Sequence, residues 1–130
     1  MDIVIDSSAL LAVILGEPER EKVIGMTVGN TLIGPGSIPW EVGNAFSAML
    51  KEKRLSLGEA QKGVEIFEAI PIRYVAVDMA HALSLAVRMK MYAYDAYFVD
   101  CAIRHGASLL TLDRRLKHAA RSLKVAVLEV

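Results

Sequence analysis

Four acidic residues lie far apart in this chain, and each stands where an α/β domain could place a catalytic carboxylate. Asp6 follows the apolar run 3–5, and Asp113 follows the run that ends at Leu112. Glu41 and Asp95 stand where helices are expected to begin. Because the carboxyl ends of parallel strands meet at one edge of a sheet, we expect these four side chains at one end of the molecule.

Carboxylates gathered in this way would repel one another unless a divalent cation lay between them. A ligand set made only of oxygen favours Mg²⁺ or Mn²⁺ over zinc. The histidines His81, His105 and His118 do not have a zinc-ligand spacing such as His-x-x-x-His. Metal-dependent chemistry is therefore the leading hypothesis.

Each of the four carboxylates also has a purely structural interpretation. Asp6 and Asp113 precede predicted helices and could be their N-caps, although Ser7 or Ser8 could cap the first helix as well. Glu41, in a first helical turn, would be stabilised by the helix dipole, and Asp95 could be a cap. Asp6 favours a functional role on its own, and the other three favour a catalytic set only when they are taken together with it.

Three further side chains are candidates for a supporting role. Asp100 lies five residues beyond Asp95, and five residues turn a helix by about 500°, so the two side chains would point roughly 140° apart. We therefore assign Asp100 an auxiliary or structural role. Ser7 and Thr111 carry hydroxyls that could orient a carboxylate or a metal-bound water.

The pattern of the chain alternates short β-like runs with helical ones. Strands are predicted over 3–5, 31–33, 72–77, 108–112 and 125–128, with one or two helices between consecutive strands. This alternation predicts parallel pairing, and hence a three-layer α/β/α sandwich in a single domain over 1–130. The paired helices leave room for a helical arm above the sheet.

The composition narrows the class of protein further. The formal net charge is +0, which argues against a dedicated nucleic-acid binder. Residues 104–130 nevertheless carry 6 basic and 2 acidic side chains, which could steer phosphate toward the site or simply form a solvated face. The single Cys101 excludes a disulfide framework and is expected to be a buried thiol. The apolar run 9–15 is too short to span a membrane and lacks a basic leader, so a cytoplasmic location is expected.

Four short motifs, taken in order, resemble those of PIN-domain ribonucleases of the VapC toxin type. They are Val4-Ile5-Asp6-Ser7-Ser8-Ala9-Leu10, Pro39-Trp40-Glu41-Val42, Tyr94-Asp95-Ala96-Tyr97-Phe98-Val99 and Leu110-Thr111-Leu112-Asp113. The resemblance covers nearly the whole chain and implies a five-stranded parallel sheet of order 3-2-1-4-5. One departure is Ser7, where the family often has threonine, and this change keeps the hydroxyl.

The resemblance also implies an activity, a cofactor and partners. Asp6, Glu41, Asp95 and Asp113 would bind Mg²⁺, or Mn²⁺ as its substitute, and would catalyse endonucleolytic cleavage of RNA. Some relatives carry an acidic residue at the position of Asp100, which would then assist. A cognate VapB-like antitoxin would cover the site, and the toxin would form a homodimer.

The helices over 8–28 and 39–69 are expected to provide the surface for that antitoxin. Part of their apolar set would be core, and the rest would form a groove for an amphipathic segment. An Arg or Lys of that segment could reach Glu41 and Asp6. The apolar set comprises Leu10, Leu11, Ile14, Val23, Ile24, Phe46, Met49 and Leu50.

Other functions stay open at the level of sequence. The chain could be a PIN nuclease of RNA processing or of structured DNA that has no antitoxin. It could also be a non-catalytic α/β interaction module whose acidic residues only cap helices. A haloacid-dehalogenase-like phosphatase would need an aspartate where Ser8 stands, and a receiver domain would need an early acidic pair and a late lysine near the site.

Overall fold

The computed structural model describes residues 1–130 and alternates four strands with seven helices. The strands are β1 (Asp2–Ile5), β2 (Thr31–Pro35), β3 (Ile72–Val75) and β4 (Ser108–Leu110). The helices are α1 (Ser7–Ile14), α2 (Arg20–Thr27), α3 (Ile38–Lys51), α4 (Leu57–Ala69), α5 (Met79–Met89), α6 (Ala93–His105) and α7 (Arg114–Ser122).

All strand pairs are parallel, and the sheet has the order β3-β2-β1-β4. The parallel α/β fold is therefore confirmed, whereas the division into three layers stays a prediction. Strand β1 is central, and its residues Ile3, Val4 and Ile5 are at most 1% exposed. A strand that is buried on both faces reads as a continuous apolar run, which explains why residues 3–5 do not alternate with polar ones.

The prediction of a fifth strand is wrong, because the C-terminal segment forms only a single bridge to β4. Leu109 pairs with Val127, donating its N–H to the carbonyl of Ala126 and accepting from the N–H of Leu128. Successive residues of a strand direct their backbone groups to opposite sides, and β4 has only three residues. Only its middle residue, Leu109, directs its N–H and C=O away from β1. The pairing between β4 and the C-terminal segment therefore cannot extend beyond this one residue.

The helices pack in two groups around this sheet. Helix α6 packs on β1, β2 and β4, with α5 against it, while α1 packs on α2, α3 and α4. Close packing is visible at Gly63 of α4, where an added Cβ would lie 2.6 Å from the ring of Phe46 on α3. None of the helices has the length and apolar character needed to cross a membrane.

Part of the predicted antitoxin surface is core. Within the apolar set assigned to the arms, five side chains are buried and the other three are partly buried. The buried ones are Leu10, Ile14, Val23, Phe46 and Met49; the partly buried ones are Leu11, Ile24 and Leu50. Most of this set is buried inside the protein. An antitoxin groove must therefore be formed mainly by other residues.

Three connections after strands lead directly into helices at the same edge of the sheet. Asp6 links β1 to α1, Ser37 lies between β2 and α3, and Asp113 lies between β4 and α7. Each of these three residues is the N-cap position of its helix. The carboxyl end of the sheet is therefore also a set of helix N-termini, where negative charge is stabilised.

Candidate active site

Asp6 is the most buried carboxylate at this edge. Asp6 is 4% exposed, and its carboxylate caps α1 by accepting a hydrogen bond from the N–H of Ala9 at 3.0 Å. The same oxygen, Oδ1, accepts from the hydroxyl of Ser8 at 2.7 Å, and Oδ2 accepts from the hydroxyl of Thr111. The pKa of Asp6 is raised from 3.8 to about 6, because burial and, to a smaller extent, the nearby charge of Asp113 outweigh the lowering effect of these hydrogen bonds.

Thr111 and Ser8 bind the end of β4 to the beginning of α1. The Ser8 hydroxyl accepts from the N–H of Leu112 at 2.9 Å and lies 3.2 Å from the Thr111 hydroxyl. Thr111 in turn accepts from the N–H of Asp113 at 3.0 Å. This network holds Asp6 and Asp113 in a fixed relation, although the two residues are far apart in sequence.

Asp113 is exposed and caps α7. Its Oδ1 accepts from the backbone N–H groups of Arg115 at 2.8 Å and Leu116 at 3.2 Å. Both bonds end on the same oxygen, so Oδ2 remains available for another partner. The capping interpretation of Asp6 and Asp113 is therefore confirmed, and it leaves room for a second role in each case.

Glu41 is half-buried, and two serine hydroxyls hold its carboxylate. Ser37 donates to Oε2 at 2.7 Å from the preceding turn of α3, and Ser7 donates to Oε1 at 3.3 Å from α1. Burial raises the pKa of Glu41, the two serines lower it, and the charges of Asp6 and Asp95 raise it. The bond from Ser7 ties α3 to the helix that Asp6 caps.

Asp95 is the third residue of α6 and is half-buried. The capping interpretation of Asp95 is wrong, because Tyr92 is the N-cap and no side chain makes a capping bond there. Burial raises the pKa of Asp95, and the charge of Asp113 raises it further. The Asp95 side chain thus faces other carboxylates without a structural bond to explain its position.

The four carboxylates form one repelling set. The pairs that interact are Asp6 with Asp113, Glu41 with Asp6, Glu41 with Asp95, and Asp95 with Asp113. These pairs close a ring, and no lysine, arginine or histidine is among the groups that lower the pKa of Asp6, Glu41 or Asp95. A ring of oxygen ligands with uncompensated negative charge fits a hard divalent cation in its chemistry. The four side chains are nevertheless too far apart to form a metal site as they stand, because no three His, Cys, Asp or Glu side chains are placed so that they could hold a metal ion together.

Asp100 lies in a different cluster, on the side of α6 that faces α5. It is 1% exposed and accepts from the N–H of Asp78 at 3.0 Å. Its other oxygen lies 2.6 Å from Nδ1 of His81, and Arg104 approaches to 3.7 Å. These contacts fasten the start of α5 to α6, so the position of Asp100 is accounted for by structure alone.

Sequence reasoning missed Ser8 and Ser37 as partners of the carboxylates, and it gave His81 no partner. The spacing of Ser37 and Glu41 is the signal that was available, since residues four apart lie on the same face of a helix. Ser8 follows Asp6 by two residues, a spacing at which a hydroxyl can reach the preceding carboxylate. No local signal links His81 to Asp100. The expected buried thiol is confirmed, because Cys101 is fully buried and burial raises its pKa to about 12.

The sequence matches the PIN domain family over residues 3–122. The chain belongs to the PIN domain family. The match includes all four carboxylates and Thr111. The chain is also 29% identical, over 121 residues, to a protein named Ribonuclease VapC3 from Pyrobaculum aerophilum; the alignment covers 89% of this chain and 92% of that one.

Two solved structures share the PIN fold seen here. One is the crystal structure of VapBC2 from Rickettsia felis bound to a DNA fragment from their promoter, with a TM-score of 0.70 and 15% identity, covering 98% of both chains. The other is a toxin-antitoxin complex from Klebsiella pneumoniae, with a TM-score of 0.58 and 18% identity, covering 85% of this chain and 86% of that one. At these identities the likeness concerns the fold.

Proposed function

We propose that this PIN domain is an endoribonuclease that depends on Mg²⁺ or Mn²⁺ and is the toxin of a type II toxin–antitoxin pair in the cytoplasm. The observation that carries the proposal is the set of four carboxylates at the carboxyl end of the sheet, in which the charges of neighbouring carboxylates raise the pKa of Asp6, Glu41 and Asp95 without a compensating cation. A purely structural set of helix caps would not need Asp95, which caps nothing, or the half-buried Glu41. The likeness to a protein named a ribonuclease supports the choice of RNA.

Asp6, Glu41, Asp95 and Asp113 would hold the cation. A bound divalent cation would activate a water and offset the charge that builds on the phosphate oxygens during cleavage. The chain itself supplies the orientation of these ligands. Thr111 and Ser8 fix the Asp6 carboxylate, and Ser7 and Ser37 fix that of Glu41.

The antitoxin is proposed to bind a cleft between α3, α4 and β3, which lies on the helices expected over 39–69 but has a different apolar lining. This cleft has a volume of about 740 Å³ and an apolar lining that includes Trp40, Val64 and Tyr74. Trp40 is 73% exposed, and it precedes Glu41 in the chain. An amphipathic segment in this cleft would begin close enough to the carboxylates for a basic side chain to neutralise them.

The homodimer is proposed to use a different surface. Met79, Leu83 and Val87 are spaced four residues apart along α5, and all three are exposed. Residues at this spacing form one stripe on a helix, and a stripe of exposed apolar side chains favours a symmetric contact with a second copy. Light scattering on the purified chain tests this point.

Cleavage of RNA tests the activity. We expect the wild-type chain to cut RNA with Mg²⁺ or Mn²⁺ and not with excess chelator, and we expect Asp6→Asn to be inactive in both conditions. The matched control is Asp2→Asn, which changes the same side chain at the opposite end of β1 and should keep full activity. A non-catalytic module predicts no cleavage by any of the three proteins. Purification with the neighbouring gene product distinguishes a toxin from a PIN nuclease without an antitoxin.

A further inference from the structure

A second cleft, with a volume of about 450 Å³, opens next to Asp95 between the end of α5, the start of α6 and the start of α7. Asp95 lines one end of it, and Arg114, which follows Asp113, lines it as well. The cleft therefore includes one of the four carboxylates, Asp95, and the residue that follows another, Asp113. A polymer that is cut at the carboxylates could continue into this cleft beside Asp95.

The cations of this cleft have no partner within the chain. Lys90, Arg114 and Arg115 are exposed and form no salt bridge with any carboxylate. Five other arginines do form such pairs, namely Arg20, Arg54, Arg73, Arg104 and Arg121. Unpaired cations beside a site that handles phosphate attract a polyanion, and the attraction is strongest where no internal carboxylate competes.

An aromatic ring stands among these cations. Tyr92 is 84% exposed, and it is the N-cap of α6 although its side chain makes no capping bond. It lies one helical turn before Asp95. An exposed ring beside basic side chains is the combination by which proteins bind single-stranded nucleic acid, since a base stacks on the ring and the backbone lies along the cations.

Lys90 is held in a backbone conformation that glycine would adopt more easily. It ends α5 with a φ of 54°, in the left-handed region. Lys53 and Lys124 have the same conformation, with φ values of 59° and 61°. A lysine at such a position costs backbone strain, and replacement by glycine removes the charge while it relieves that strain. Lys90 can therefore be tested without a loss of stability.

We propose that this cleft is a binding subsite for single-stranded RNA, which takes the nucleotide next to the cleavage point. The base stacks on Tyr92, and its phosphate lies between Lys90 and Arg115. Single-stranded RNA is the substrate that fits, because a base inside a duplex is already stacked and cannot reach an aromatic ring. The inference rests on the proposed ribonuclease function, and it adds the residues that bind the RNA beside the cleavage point.

The test measures the binding of a short fluorescein-labelled single-stranded RNA by fluorescence anisotropy, with Asp6→Asn as the background so that the RNA stays intact. Three variants are compared over a range of salt concentrations: Lys90→Gly, Tyr92→Ala and Lys53→Gly. Lys53→Gly is the matched control, because it removes the same charge at the same φ beyond the far end of α3.

Each variant has its own expected result. Lys90→Gly should weaken binding and should lower the slope of log K against log salt by about 0.7, the value for one phosphate contact on a single strand. Tyr92→Ala should weaken binding by about tenfold and leave that slope unchanged, since stacking releases no counterions. Lys53→Gly should bind like the background protein. Thermal unfolding of Lys90→Gly should occur at the same or a higher temperature than that of the background.

Two outcomes overturn the proposal. One is that Lys90→Gly and Tyr92→Ala bind the RNA as tightly as Lys53→Gly does. The other is that the background protein prefers a duplex of the same sequence, since a paired base cannot stack on Tyr92. Failure of the ribonuclease function has a different signature, because the wild-type chain would then leave RNA intact whatever the variants bind.

Discussion

Asp6→Asn should stabilise the metal-free protein at neutral and higher pH. Asp6 is almost fully buried, and its pKa is raised from 3.8 to about 6. At about 1.36 kcal/mol for each pKa unit, ionised Asp6 costs the folded state about 3 kcal/mol. Asparagine avoids this cost, although it gives up hydrogen bonds to a charged acceptor, so we expect a net gain of about 1–3 kcal/mol.

The hydrogen-bond network around Asp6 can accept an amide. The Asn side-chain oxygen would accept from Ala9 and Ser8, as Oδ1 does now. The amide N–H would donate to the Thr111 hydroxyl, which would then turn its own proton toward Ser8, 3.2 Å away. Every polar atom keeps a partner in this arrangement, so the variant should not bury an unsatisfied group.

The gain depends on pH in a definite direction. Between about pH 3.8 and pH 6 the folded protein binds a proton at Asp6 that the unfolded chain has lost, so wild-type stability falls as the pH rises through this window. The advantage of Asp6→Asn should therefore be absent below about pH 3.8 and complete above about pH 6. Urea unfolding in excess chelator, at several pH values from about 4 to 8, measures it.

Asp100→Asn is the matched control, since Asp100 is equally buried but lies against His81 and Arg104. Removal of its charge breaks charge-assisted hydrogen bonds, so we expect a loss of about 1.5–3 kcal/mol. The two substitutions should thus have opposite signs. Equal losses in both variants, or a gain for Asp6→Asn that does not change with pH, would refute the reasoning about Asp6.

Three further predictions follow from other features. Mg²⁺ or Mn²⁺ should raise the melting temperature, with about 2.7 kcal/mol of stabilisation at a hundredfold excess over Kd, and Glu41→Gln should reduce the shift; an equal shift in that variant would place the ion elsewhere. Gly63→Ala should lower the free energy of unfolding by about 1–3 kcal/mol because its Cβ meets Phe46, whereas Gly25→Ala, in open space on α2, should raise it by about 0.5–1 kcal/mol. Trp40→Ala should weaken antitoxin binding in calorimetry and leave RNA cleavage unchanged; loss of both activities would count against a separate cleft.

The order of elements was predictable from the sequence, because it depends on local patterns. Apolar runs, the capping pair Ser56 and Glu59, and Asp78 before α5 each mark an element boundary within a few residues, and the structure has both caps. The bridge at Leu109 was not predictable in this way. Residues 125–128 have the composition of a strand, but the length of the ladder depends on how many residues of β4 face outward.

The convergence of the four acidic positions was also predictable, since each stands after a strand or at the start of a helix. Their partners were harder to predict. The hydroxyl of Thr111 donates to Asp6, which is 105 residues away in sequence. The motif resemblance indicated that Thr111 lies near the site, but it did not predict this hydrogen bond. The unpaired state of Arg114 and Arg115 was beyond sequence reasoning as well, because it depends on which carboxylates the fold brings near.

The bond between Thr111 and Asp6 has a consequence for the time at which the site can form. Asp6 is made before Thr111 and Asp113, because Thr111 follows Asp6 by 105 residues. A parallel sheet also joins strands that are distant in sequence, which makes such pairing slow. The central strand β1 can therefore complete its pairing only after β4 has been made. A nascent or truncated chain that ends before residue 111 lacks the hydrogen bond from Thr111 that fixes the Asp6 carboxylate.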